Sequence, residues 1–547
     1  MRLRSFAVLA AVLSLPASAS AQDATPLTGV GENVAPIARV KVPGANEIAV
    51  AGNWAFVSTD AVEETCGCLY VVNIKDPAHA FVEGVWDARQ AGLKDQSYGD
   101  VDISPDGNLA VVTNAHGSGP TWDVLIDTHD KAHPQMLSHV DDDDGTIEYV
   151  HTSTLDNKLL YMNPQVWSGY PQPGHAAITV VDISDPSHPK QIGKITTPGA
   201  DSGLAHDTYV DHRPDGKTLM YAASIHKSDV IDITDPLAST WLQSTTSPDV
   251  TISHDVQPNH DRTVILVDDE GAAGGQLDAN VSACGKIGAG PATIDSGSLH
   301  FYEAAPDGTF ANQGLVQLGT FNAPPNVAQA ECVAHVFWQA PDENRLTQAY
   351  YNVGAWVVDF TDPANATALG HFRGDGAKYW SNKAHNGYMY ASNMNGSVDI
   401  LRYTGEGGNR WPTTSGPAEI QLSARQGVPY VPIAGTGPAT TPPPTPSRTF
   451  GRFRFTIKGA TVPGRRGSKR KLTLTFKNAS GKRVARTRFK RATRRRAKAK
   501  VSGVAATGSY RWVLRAGKRK LAAGRVKVRP VEGLQASPGT TLVARVR

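Results

Sequence analysis

The chain has 547 residues, 40% hydrophobic and 19% charged, with 52 glycines and 36 prolines. That length exceeds one compact core, and the apolar content excludes wholesale disorder, so two or more folded units are expected. The net charge of +3 conceals a split: residues 448–547 hold 31 Lys+Arg and one acidic residue, Glu532, and the remainder holds 23 basic and 50 acidic residues. Parts carrying +30 and −27 serve different electrostatic partners.

Residues 1–21 have the form of a secretory signal peptide. Arg2 and Arg4 precede an apolar stretch, Phe6 to Leu15, and Ala19-Ser20-Ala21 supplies a small-x-small cleavage site. The expected location is secreted, extracellular or periplasmic, and associated with the cell envelope. Beyond the signal no apolar run reaches the roughly 18 residues a spanning helix needs, so no transmembrane segment is expected. An oxidising compartment favours disulfides among Cys66, Cys68, Cys284 and Cys332. Three connectivities are open, of which Cys66–Cys68 with Cys284–Cys332 is the preferred one. A redox or metal role for the Cys-x-Cys pair is the alternative.

One phrase recurs along residues 36–404: VVNIKDP (Val71–Pro77), VVDISDP (Val180–Pro186), VIDITDP (Val230–Pro236) and VVDFTDP (Val357–Pro363), with a degenerate copy at Val124–Pro134. Each reads as a β-rich strand stopped by an Asp-Pro turn. A strand–turn–strand phrase precedes each copy, as in Val101–Asn114 and His206–Ser224, and a further strand follows, as in Gln191–Gly199. Four strands at a period near 45 residues are the signature of a β-propeller blade. Inner strands begin near Asn46, Asp100, His151, His206, His254, His335 and His385, which gives seven blades. Blade 5 carries a Gly/Ala insertion, Gly271–Gly297. The last blade, His385 to Tyr403, lacks a fourth strand, which Pro36–Ala45 is expected to supply, closing the ring. The run Asp141–Asp144 lacks the spacing of a calcium loop and reads as a solvated turn.

Residues 405–447 are a Pro/Gly/Thr-rich linker. Over 448–532 apolar residues alternate with basic or polar ones, the pattern of a small basic β-sandwich, and 533–547 read as a C-terminal tail. The predicted fold class is therefore all-β. Within the basic domain, Arg488, Lys490, Arg491, Arg494, Arg495, Arg496, Lys498 and Lys500 form an expected polyanion-binding edge or loop, facing an anionic envelope polymer or surface. With no recognition helix, finger or RNP-like motif, sequence-specific nucleic-acid binding is not expected. Docking of this domain on its own acidic propeller is the rival reading.

Five consecutive blades place a histidine at the start of the inner strand. Inner strands line a propeller's channel, so His151, His206, His254, His335 and His385 are expected to converge as ligands for copper or zinc, with Asp207, Asp255, Glu47 and Asp100 as supporting carboxylates. The bland alternative is a set of repeat-template histidines bonded to backbone and channel water. No Ser/His/Asp elbow, P-loop or dinucleotide motif is present.

The VVDISDP and VIDITDP phrases with the following IGKI resemble the LVIVD repeats of secreted bacterial proteins, across about Pro36 to Tyr403. YNVGAWVVDFTDP and KAHNGYMYASNMNGSVDIL look like that family's closing blades. The resemblance implies a seven-bladed propeller at the cell surface. More distantly, the histidine positions are similar to those of the selenium-binding/methanethiol oxidase propellers, where channel histidines are linked to copper. The expected function is a secreted binding or adhesion propeller with an unidentified ligand on its face, held at an anionic surface by the basic domain. The alternative is a copper- or zinc-dependent oxidoreductase using the histidine ring.

Overall fold

The computed structural model describes residues 24–61, 66–93, 96–115, 123–140, 150–164, 177–196, 205–271, 285–287, 294–323 and 332–407, and seven strands between 449 and 546. Residues 1–23, where a signal peptide is expected, most of the linker, Asp141–Asp144, Cys284 and Lys490–Arg495 lie outside the described residues. The chain divides into two compact units, the propeller and the basic domain.

Seven antiparallel sheets form the propeller. Blade 1 runs Ala45–Ala51, Trp54–Thr59, Cys68–Asn73 and Phe81–Asp87 from inside outward. Blade 2 begins at Asp100–Ile103, blade 3 at Val150–Asp156, blade 4 at Asp207–His212 and blade 5 at Ser253–Pro258; blade 6 begins at Phe337–Gln339 and blade 7 at Tyr379–His385. The repeated Val-Val or Val-Ile of the third strand is buried on both faces, because each blade is sandwiched between two others. Val50, Val57, Val72, Val398 and Ile400, for example, form one apolar cluster between blades 1 and 7.

The Asp-Pro turns form as their composition predicts. Asp76, Asp235 and Asp362 each accept from the backbone N–H two residues on, and the following proline opens a single 3-10 turn. The turns opened by Pro236 and Pro363 pack against a glycine in the outer strand of the preceding blade, Gly193 and Gly319. A Cβ on Gly319 would lie 2.0 Å from the Pro363 carbonyl oxygen, so only glycine allows this approach.

The ring closes as expected. Val34–Lys41 pairs antiparallel with Ser397–Tyr403 as the outermost strand of blade 7, with Val40 opposite Val398. One addition was not legible: Gly29–Glu32 pairs with Thr367–Gly374 as a fifth strand on blade 6. The blade 5 insertion contains a two-stranded ribbon, Gly285–Ile287 with Ile294–Ser296. Cys66 and Cys68 are bonded to each other, and Cys332 is disulfide-bonded and buried. Among the described residues no helix is long and apolar enough to cross a membrane.

The basic domain holds a three-stranded sheet, ordered Arg496–Ser502, Thr449–Gly459, Thr541–Val546, and a four-stranded sheet, ordered Arg483–Phe489, Leu472–Lys477, Gly508–Ala516, Arg519–Val528. One expectation, the C-terminal tail, is corrected here. Thr541–Val546, in the stretch read as a tail, pairs with Arg454–Gly459, and that pairing is parallel. Arg496, Lys498 and Lys500 stand in a paired edge strand, with Lys500 opposite Arg452; the alternating alanines and Val501 supply the strand pattern. Arg488 also stands in an edge strand, opposite Thr473.

Candidate metal centre

Four of the five histidines meet at the propeller axis. His151, His206, His254 and His335 enter from blades 3, 4, 5 and 6, all less than 10% exposed. Successive ring centroids are 4.0, 4.4 and 4.3 Å apart. The next position round the axis holds Trp380 of blade 7, 4.2 Å from His335. His385 is not part of the ring. It ends the same inner strand that Trp380 enters, with Nε2 2.8 Å from the Gly52 carbonyl oxygen. The phrase beginning at His385 starts at the hairpin of blade 7, where Asn386 and Gly387 take positive φ, and not at the strand's entrance.

Glu270, which the repeats gave no reason to select, sits at the focus of the histidines. It follows the second strand of blade 5, Val264–Asp269, and its N–H donates to the Ile252 carbonyl. Nε2 of His206 and of His254 lie 3.9 and 3.6 Å from Glu270 Oε2, and Nε2 of His335 lies 3.5 Å from Oε1. Tyr351 donates its hydroxyl to Oε1 at 2.6 Å. The ligand atoms of His206, His254 and Glu270 all lie within 4.8 Å of one another. Separations of 3.5–3.9 Å exceed hydrogen-bond length. They approach the edge of a tetrahedron about an ion with bonds of about 2.0–2.1 Å, roughly 3.3–3.4 Å.

The protonation of the ring also suits a cation. The Nδ1 of His335 lies 2.7 Å from the Trp380 carbonyl oxygen, an acceptor, so Nδ1 carries the hydrogen and the Nε2 lone pair faces Glu270. Burial holds His254 below the ordinary imidazole range, and burial with the neighbouring His254 holds His335 well below it. Behind His254, Asp268 is fully buried with Oδ2 3.5 Å from Nδ1.

One level along the channel, Glu47, Asp100, Asp207 and Asp255 line, with Lys383 and the four histidines, a cavity of about 130 Å³. Simple alternation would turn either the histidine or its following acid away. Register shifts at Val150/Thr152 and Ser253/Asp255, and at Ala45/Ile48 in blade 1, are the β-bulges that let consecutive residues both face the axis. The expected role of these acids in orienting imidazoles is replaced by other bonds. Asp100 accepts from the Ser153 N–H, Asp207 from the Thr208 N–H, Asp255 from Gln257, and Glu47 from Ser381 at 2.6 Å, with Lys383 Nζ at 3.3 Å. Burial, then the charge of Asp207, raises Asp100 well above the carboxylate range. Burial, then Asp255, does the same to Asp207, and burial with Asp268 pushes Asp255 up to about 7.

No protein-family model and no curated protein matches the chain. Solved structures with related coordinates include the β-propeller domain of Myceliophteria thermophila Cps50 (Swd1), at 9% identity and TM-score 0.43, covering 68% of this chain and 99% of that one. A 6-phosphogluconolactonase candidate from Bacteroides fragilis has 12% identity and TM-score 0.41, covering 61% and 86%. A protein of unknown function from Desulfotomaculum acetoxidans has 11% identity and TM-score 0.39, covering 60% and 85%.

Proposed function

We propose that the axial pocket of this propeller is a divalent transition-metal centre, held by His206, His254 and Glu270 with His335 beside them. The observation that carries this reading is the convergence of three buried imidazole Nε2 atoms on one carboxylate at distances too long for hydrogen bonds. Copper or zinc was the expectation from histidines alone. A carboxylate in the donor set favours zinc or iron(II), which take two histidines and one carboxylate with positions left open. Such an ion would supply a Lewis acid facing the channel. The chain's own residues do the rest: Tyr351 fixes the Glu270 carboxylate, and the Trp380 carbonyl fixes the His335 tautomer. In this reading the protein is an exported LVIVD-type propeller acting as a metal-dependent enzyme on a small polar substrate. The basic domain, with its +30 charge, tethers it to an anionic surface.

Elemental analysis of purified protein tests the centre. Near-stoichiometric zinc or iron is expected, and His254→Ala or Glu270→Gln should remove it while the β-sheet circular dichroism stays intact. Metal-free protein that takes up neither ion on titration would end the proposal and leave a binding or adhesion module.

A further inference from the structure

The carboxylates lining the axial cavity are each tied down by half. Asp100 Oδ2 accepts from the Ser153 N–H at 2.9 Å, Asp207 Oδ1 from the Thr208 N–H at 2.7 Å, and Asp255 Oδ2 from Gln257 at 2.7 Å. The other oxygen of each has no protein partner and is not fully enclosed, so it opens onto the cavity that all three residues line. Lys383, the one lysine or arginine among the described lining residues, has its Nζ 3.3 Å from Glu47 Oε1. The same cavity is lined by His335, 1% exposed, whose Nε2 has no hydrogen-bond partner in the protein. Unmet polar atoms at both levels of one cavity are the mark of a binding site. We propose that the acid ring recognises the guanidinium group of a small substrate; this deepens, and rests on, the reading of the pocket as a metal-dependent enzyme site.

The spread of the acids selects this cation. Asp100, Asp207 and Asp255 approach the axis from blades 2, 4 and 5. Among the described residues, no three of the four carboxylates bring ligand atoms within 4.8 Å of one another, as His206, His254 and Glu270 do. That disfavours a single metal ion. Three acceptors around one ammonium at ordinary hydrogen-bond length would lie about 4.6 Å apart, inside the same limit, so an ammonium is disfavoured too. A guanidinium is flat and sends its N–H groups outward along its edges, so acceptors standing farther apart around an axis can each take one. Burial, and after it the charge of Asp207, raise Asp100; a bound cation offsets that repulsion. The cavity, about 130 Å³, is roughly ten times the space one water needs, which suits a small guanidino compound rather than a polymer.

The test titrates the full chain calorimetrically, as purified and after loading with zinc or iron(II). The probes are methylguanidine, n-propylamine and methylurea, the last a neutral copy of the first. Methylguanidine should bind at least about tenfold more tightly than either of the others. Asp100→Asn and Asp255→Asn keep an acceptor for Ser153 and Gln257; each should weaken methylguanidine about tenfold with metal content unchanged. Lys383→Met removes the competing cation and should tighten binding, an effect that a merely structural role would not give. Should the variants fail to fold, the three probes on unaltered protein decide. Methylurea or n-propylamine bound as tightly as methylguanidine would overturn the guanidinium assignment, and calcium bound in its place would make the ring an ion site and overturn it as well. Metal-loaded protein that binds none of the probes overturns the inference and leaves the metal centre standing. Methylguanidine bound by protein that takes up neither zinc nor iron supports the acid ring and ends the metal centre.

Discussion

Tyr351 shows how much a single residue can be asked to bear. Its backbone stands at φ 29°, an uncommon region for an aromatic residue, and its hydroxyl reaches Glu270 while its ring lies 5.0 Å from that of His335. Strain of this kind, of order 1–3 kcal/mol, persists where surrounding structure enforces it, and often at functional sites. Tyr351→Phe keeps the ring and removes the tie on the carboxylate. Metal affinity is expected to fall about 10–100-fold with little change in melting temperature, measured by competition with a chelating dye. An unchanged affinity would show that Glu270 needs no such support. At the same scale, His212 and Asp156 offer a pH test remote from the centre. Burial opposes a charge on His212, but the 2.8 Å hydrogen bond from Nε2 to Asp156 and its negative charge outweigh it, so the pKa is raised. The folded state therefore holds the proton more tightly than the unfolded chain. The gain is complete below about pH 6.5 and disappears as pH rises through the raised value. His212→Gln should cost about 1 kcal/mol more at pH 5.5 than at pH 8.5 in urea unfolding; a pH-independent cost would contradict this.

The elements were legible wherever a local rule repeats. Asp-Pro turns, doubly buried Val-Val strands and hairpin tips each leave their mark in consecutive residues, so the seven blades and the closing strand could be counted from the sequence. The centre was legible only in part. His151, His206, His254 and His335 recur at one point of the repeat, but Glu270 occurs once, after a strand whose end reads Asp268-Asp269-Glu270. Three successive acids beside a buried strand were the available signal, and no periodicity points to them. His385 misled for the converse reason: a histidine in a familiar phrase sat five residues from the strand entrance, where Trp380 stands. The turn-against-glycine contact gives a prediction for the blades. In Gly319→Ala the new methyl meets the Pro363 carbonyl, and the variant should lose about 1–3 kcal/mol, seen as a lowered melting temperature.

At the scale of the whole ring, one ion pair fastens the seam. Arg39 of the closing strand donates to both carboxylate oxygens of Asp399, at 2.6 and 2.7 Å, and Tyr379 donates to the same carboxylate. Asp399 is fully buried, so Arg39→Gln leaves its charge without a countercharge. The expected loss is about 3 kcal/mol in equilibrium unfolding. A loss below about 0.5 kcal/mol would place the pair among surface bridges that contribute little.

That seam also fixes an order of events. The strand that completes the circle lies near the amino end, and its partner Asp399 comes 360 positions later, so a chain emerging from a ribosome must carry an unmatched β-segment until nearly the whole propeller exists. Exposed segments of this sort recruit wrong neighbours. Pro36, which breaks the register beside Ala38, and the charges of Arg39 and Lys41 make this one a poor template for strangers while it waits.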